Sequence, residues 1–441
     1  MNDMRWHILV AALLAAGAAE PARAAQRFVI TSFGAVGDGK TSNTAAIQAL
    51  IDRVAKEGGG TLVVPGGTFI TGALFFKQGV NLFIGKDGTL KGSVEQNDYP
   101  QVQTRWEGIE REWTSALLNF TGMTGVEVSG EGTVDGSGDL WLQRRGGGRR
   151  GPGRPAAAGQ GQPPPPDAGR GAAPPGPRLG RPRLICFQNC RRVRISRLHL
   201  RQEAVWCLHI LYSQDVTVDG IEIRCDHNIP SADGIDIDSS RKVRVRNVDI
   251  DNNDDSITIK SGKDEDGLRV NRPSEDIVIE NSRFHNGGSV VAMGSETSGG
   301  IRNVIVRHCV ADSDNAAPIR FKTQPSRGGV VENITFSDIQ LNGTRQAFEF
   351  NMEWRMVPPI APPAQVLPVV RNVTIRNVRG TVKTVGVMHG LAASPIRNVR
   401  FQKCDITADK GLVIENVRNA DLSGLKLTVR NGDAITRKNV E

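Results

Sequence analysis

Four short segments in the middle of the chain carry residues able to do acid–base chemistry on an anionic substrate. Stacked on one another they read "SADGIDIDSS", "NDDSITIKSG", "GGSVVAMGSE" and "APIRFKTQP". Apolar residues alternate in each: Ile235 and Ile237, Ile257 and Ile259, Val291 and Met293, Ile319 and Phe321. A period of two marks a strand with one buried face. The outward columns then read Asp236, Thr258, Ala292, Arg320 and Asp238, Lys260, Gly294, Lys322. Asp233 and the pair Asp254–Asp255 enter the first two strands. Two strands further on, at about 4.8 Å per strand, Arg320 and Lys322 should stand roughly 10 Å from Asp255. That leaves room for one sugar ring between the acids and a clamp for its carboxylate. Simple alternation would turn Asp233 and Asp255 inward. At strand entry a turn can re-aim them, so alternation alone leaves their direction open.

Adjacent carboxylates repel, so one of a pair can keep its proton near neutral pH. Inverting glycoside hydrolysis needs this: one acid for the leaving oxygen and one base for a water, about 6.5–9.5 Å apart. Aspartates at strand ends also make turns, so the acids alone would say little. Their stacking with an Arg-x-Lys is what points to a site. A rival lies near the N-terminus, where "GAVGDGKT", Gly34 to Thr41, fits G-x-x-x-x-G-K-[ST] between "RFVITSF" and "NTAAIQALIDRVAKE". In a P-loop the helix begins at the Gly-Lys-Thr. Here the best caps, Ser42 or Asn43, come later, and Gly58 ends the run. With no Walker-B-like strand, no nucleotide site is expected.

The elements that hold these residues form a repeat. Units such as "SQDVTVDGIEI", "SRKVRVRNVDI", "IRNVIVRHCVA" and "VRNVTIRNVRG" share an apolar marker at Val193, Val216, Val243, Ile277, Val304, Ile334, Val373, Val399 and Ala420. "KQGVNLFIGKDGTL" and "MTGVEVSGEGTV" look like earlier copies. Short β-branched strands at a loose period, with no helices between them, predict an all-β parallel β-helix. A propeller is the rival, but two-residue hairpin turns are scarce. Ile47, Leu50, Ile51 and Val54 form one apolar stripe, so that helix should cover the open end of the solenoid.

Residues 1–24 read as a secretory signal peptide, with the h-region "ILVAALLAAGAA" and the cleavage site "ARA". This predicts export to the periplasm or beyond and a single β-helix domain over 25–441. The net charge is +8. All of it falls in 144–183, which has nine arginines and one acid, Asp167, among Pro and Gly. The rest of the chain sums to zero, which argues against nucleic acid as a partner. Residues 144–183 read as a disordered insertion, with a tether for an acidic polymer or membrane surface as the sharper alternative. Six cysteines without metal-site spacing read as buried thiols, with room for one disulfide.

"FGAVGDGKTSNTAAIQALID", "GGGTLVVPGGTFITGAL", "DYP", "RWEGIE", "NDDSITIKSG", "GSETSGGIRNV" and "IRFKTQPSRGG" carry a family resemblance across nearly the whole mature chain. The sequence resembles glycoside hydrolase family 28, the polygalacturonase-like enzymes of the pectin-lyase β-helix superfamily. The resemblance implies a right-handed β-helix that hydrolyses galacturonate-containing pectic chains with inversion and without a metal or other cofactor. It also implies that Asp254 is the general acid, that Asp233 and Asp255 activate water, and that Arg320 and Lys322 hold a uronate carboxylate. Lys260 and Asp238, in the same outward columns, are expected on the substrate side.

Two positions depart from the pattern. The usual Asn-Thr-Asp is Ser231-Ala232-Asp233, and the usual Gly-His-Gly has Gly288 where its histidine falls. The resemblance is therefore to a branch that lacks this histidine. His285, three residues upstream, can swing in to replace it. Trp206 and His209 either border the cleft or pack in the core. Arg105, Trp106 and Glu107 can frame a sugar subsite, and Trp141 should pack beside the insertion. His227 and His308 read as turn or surface residues. The long segment "NMEWRMVPPIAPPAQVLP" can block one cleft end and favour exo action. A monomer acting on oligogalacturonides is expected. A β-helix lyase and a non-catalytic carbohydrate-binding β-helix are the alternatives.

Overall fold

The computed structural model describes residues 26–144, 180–312, 315–355 and 361–440. The signal-peptide reading and most of 144–183 lie outside the described residues. Each coil contributes a strand to three sheets in turn, for example Arg183–Gln188, Arg191–Ser196 and His199–Arg201. Successive coils pair in parallel, and the fold is a right-handed parallel β-helix. The hairpin Gln101–Trp106 with Ile109–Thr114 is antiparallel and forms a sheet of its own. The propeller alternative is thereby excluded.

The sequence markers stack rung on rung, from Val126 through Val193, Val216, Val243, Ile277, Val304, Ile334, Val373 and Val399 to Ala420. Their uneven spacing reflects excursions between strands, not changes in the core. The "RN" of the repeats has a structural cause. Asn303, Asn333, Asn372, Asn398 and Asn419 all sit at positive φ, the left-handed turn that asparagine tolerates. Their side-chain amides bond one to the next along the solenoid.

In the sheet that holds the acids, inward columns run from Leu118 through Ile185, Leu208, Ile235, Ile257, Val291 and Ile319 to Phe348. All are buried. Each such side chain contributes roughly 1.5–3 kcal/mol by leaving water. The core thus fixes which residues face outward.

The helix Thr44–Lys56 buries Ile47, Leu50, Ile51 and Val54 against the first coil. Neither expected cap works as such. Asn43 stands in the N-cap position but makes no cap bond. Its side chain instead accepts from the Val36 amide and donates to the carbonyls of Val36 and Thr41. The Lys40 and Thr41 amides, which a P-loop would aim at phosphate, both donate to Asp38 Oδ1 at 2.8 Å. The glycine loop is a turn into the capping helix.

Candidate active site

Two loops that enter the site sheet carry the acids. Asn252 Nδ2 ties them together, donating to Ala232 O at 2.6 Å and to Asp255 O at 3.1 Å. Gly234 must be glycine, since a β-carbon there would lie 2.4 Å from Ser256 O. The loops turn both Asp233 and Asp255 out of the core and onto charged partners. Alternation alone would have turned them inward.

Asp255 is buried and takes three contacts. Ser289 Oγ donates to its Oδ1 at 2.8 Å, Lys322 Nζ bonds its Oδ2, and Arg320 Nη1 stands 3.8 Å from Oδ1. Burial opposes its charge, but Lys322 and then Arg320 prevail and hold its pKa below the usual carboxylate range. Asp254, half-buried beside it, goes the other way: burial and the Asp255 charge raise its pKa. The surroundings therefore pull the two carboxyls apart, Asp254 toward keeping its proton and Asp255 toward losing it.

Asp233 is pushed in the same direction as Asp254. Burial, then Asp236 and Asp254, push its pKa well above the ordinary value, against the opposing charge of Lys260. Lys260 Nζ lies 3.4 Å from Asp233, Asp236 and Glu296, and 4.4 Å from the centre of the Trp206 ring.

The clamp is closer than expected. Arg320 and Lys322 reach back to Asp255 across the coil between, instead of standing roughly 10 Å away. That coil offers small residues, Gly288, Ser289, Ala292 and Gly294, so the long cationic arms can pass. Arg320 Nη1 donates to Gly288 O at 3.0 Å, and its Nε pairs with Glu349 at 2.6 Å. The Trp354 ring lies 4.8 Å from the Arg320 guanidinium and 5.4 Å from Lys322 Nζ.

Several expected contacts are not substrate contacts. Asp238 is buried, held by Arg105 Nη1 at 2.8 Å and faced by His209 Nε2 at 3.5 Å. Arg105 is buried too, so it anchors the hairpin to the sheet and cannot frame a subsite. His209 is buried behind the sheet surface. Arg183 donates to its Nδ1 at 2.6 Å, which places its ring proton on Nε2, toward Asp238. Burial lowers its pKa to about 4. Trp106 and Trp206 are buried with their rings tilted and 4.5 Å apart, and Trp206 lies beside Lys260. His285 does not swing in. It bridges Asp249 and Asp312, at 2.9 Å each, on the third sheet. Trp141 is buried against Tyr99. All six cysteines are buried free thiols.

The sequence reading assigned no role to Glu296, Glu349, Ser289 or Trp354. Glu349 continues the outward column from Arg320, and its alternation in "FEF" was the available signal. Trp354 follows the strand in irregular chain, where no periodicity reports direction.

Stacked carboxyls beside two cations, on a β-helix, are the arrangement expected of a glycosidase. The family model of glycosyl hydrolases family 28 matches residues 153–424, and a rhamnogalacturonase A/epimerase, pectate lyase-like model matches 27–98. The chain belongs to glycosyl hydrolases family 28 and is a glycoside hydrolase of the polygalacturonase type. The pectate lyase-like match covers only the first turns, and no residue of the site, so the lyase alternative is set aside.

A probable polygalacturonase of Vitis vinifera is 28% identical over 84% of this chain and 72% of its own length. An exo-poly-α-D-galacturonosidase of Dickeya chrysanthemi is 26% identical over 80% of this chain and 62% of its own length. Among solved structures, a hyperthermoactive exopolygalacturonase from Thermotoga maritima is 28% identical, with a TM-score of 0.74 over 90% of this chain and 93% of that one.

Proposed function

We propose that the enzyme releases galacturonate units from the ends of pectic chains, with inversion at the anomeric carbon. Asp254 is the general acid, Asp255 the base that activates water, and Arg320 and Lys322 hold the uronate carboxylate. The opposite pKa shifts of the adjacent Asp254 and Asp255, with Lys322 and Arg320 on Asp255, support this best. An arriving carboxylate competes with Asp255 for Lys322 and Arg320. As those cations turn to the substrate, the pKa of Asp255 rises and it becomes a stronger base next to the water. The exo mode rests on similarity to the exo-acting relatives and on Trp354, which stands over the clamp. The N-terminal segment supports export.

The test is digestion of homogalacturonan and rhamnogalacturonan oligomers, with product sizing and detection of the released anomer. Monogalacturonate from homogalacturonan, first released as the inverted anomer, is expected. Asp254→Asn should lower kcat by about 10²–10⁴-fold while the protein stays folded. Near-wild-type turnover in that variant, or an unsaturated UV-absorbing product, would refute the assignment. Tight oligogalacturonate binding without turnover in the unmodified enzyme would restore the carbohydrate-binding reading.

A further inference from the structure

A cleft of about 430 Å³ opens on the turn between the site sheet and the second sheet. Its lining includes Arg191, Tyr212, Gln214, Arg241, Arg272 and Glu275. Clefts of roughly 300–1,000 Å³ hold small ligands. Tyr212 links it to the back of the active site. Arg105, which binds Asp238, and Arg272 both lie against the Tyr212 ring, at 4.7 and 4.9 Å.

The charge pattern of the cleft differs from the rest of its column. Arg191, Gln214, Arg241, Glu275, Arg302, Glu332 and Arg371 follow one another on successive rungs. Along the later rungs cation meets carboxylate: Arg302 pairs with Glu275 at 2.7 Å, and Arg371 with Glu332 at 2.6 Å. In the cleft, an amide takes the carboxylate's place. Gln214 Oε1 alone accepts from Arg191 Nη2 at 3.1 Å and from Arg241 Nε and Nη2 at 2.9 and 2.7 Å. Arg272 Nη2 donates to the Tyr212 carbonyl. Three guanidiniums thus converge on neutral oxygens, and Glu275 is already engaged by Arg302. Arg272 bears the cost: burial and the nearby charges of Arg241 and Arg105 lower its pKa. An anion entering the cleft would relieve that repulsion and accept bidentate bonds from the forks.

We propose that this cleft is a second saccharide site that takes the carboxylates of a uronate oligosaccharide. The choice of uronate rests on the substrate proposed above. The cleft would hold a distal part of the polymer while its end is hydrolysed.

The test uses full-length enzyme carrying Asp254→Asn and titration calorimetry with trigalacturonate. Two binding events are expected. Adding Gln214→Glu, which supplies the missing carboxylate, should weaken one of them about tenfold or more. Arg241→Gln should do the same by removing a donor. With Asp254 restored, Gln214→Glu should raise KM for polymer and leave hydrolysis of digalacturonate unchanged. A single binding event that neither substitution alters would overturn the proposal. So would a cleft that binds inorganic phosphate and ignores trigalacturonate. If digalacturonate is not hydrolysed by the unsubstituted enzyme, the substrate reading falls. The binding result still decides on the cleft, since it needs no turnover.

Discussion

Replacing Arg320 with glutamine removes one of the two positive charges that keep Asp255 ionised. Nη1 stands 3.8 Å from Asp255 Oδ1. A unit charge at that separation is worth roughly 4 kcal/mol at an effective dielectric constant near 20, or about three pKa units. Part of this is already cancelled in the wild type by Glu349, 2.6 Å from Arg320 Nε. Lys322 also stays on Oδ2 in the variant. The expected rise in the Asp255 pKa is therefore about one to two units. The direction follows from its depressed pKa: the base is ionised above that pKa and lost as pH falls through it. Raising the pKa moves the loss to higher pH. The profile of kcat/KM reports the free enzyme, so its acidic limb should move up by about one to two pH units. The alkaline limb, set by Asp254, should stay. Arg320→Lys should keep the acidic limb near its wild-type position but raise KM, because a point charge does not replace a planar fork. An acidic limb unmoved by Arg320→Gln would refute the claim that this pair sets the charge of the base.

Three further substitutions probe other parts of the molecule. At Gly288 a β-carbon would lie 2.8 Å from Asp255 Oδ1 and 3.3 Å from Arg320 Nη1, so Gly288→Ala must displace both. It should lower kcat by about 10–100-fold with little change in Tm, and wild-type kcat would show that the base tolerates the shift. Glu203 is buried and its pKa is raised to about 7. The unfolded chain releases that proton near 4.5, so wild-type stability falls as pH rises from 4.5 through 7. Glu203→Gln should melt like wild type at pH 4 and gain up to about 3 kcal/mol at pH 8, and a gain independent of pH would contradict the assignment. His209 has the opposite sense. With its pKa lowered from 6.5 to about 4, it withdraws stability as pH falls through that interval. His209→Gln should flatten this loss in acid melts, and an unchanged slope would show that another group carries it.

The fold was legible because its cause is local and repeated. Every coil needs the same inward apolar pair, so the markers from Val193 to Ala420 register the solenoid without knowledge of the loops. The outward columns followed from the same alternation, which is why Arg320 and Lys322 could be placed beside the acids. Arg105, His209 and Asp238 were harder. Polar residues at outward positions read as exposed until a second element covers them, and here the hairpin Gln101–Trp106 with Ile109–Thr114 does so. Trp354 and Glu296 lie in irregular chain, where direction depends on the neighbouring coils.

By itself, the sequence determined the parallel solenoid, its capping helix and the set of charged residues on one sheet. Period-two burial acts over a few residues and repeats in every coil. Only the tertiary structure decided the states of those residues. The pKa of Asp255 falls because Lys322 and Arg320 reach it across a coil of small residues, and that of Asp254 rises because it is buried and Asp255 is charged beside it. Such electrostatic coupling depends on contacts within 4 Å between residues up to 67 positions apart. Those distances are set by how each coil stacks on the last.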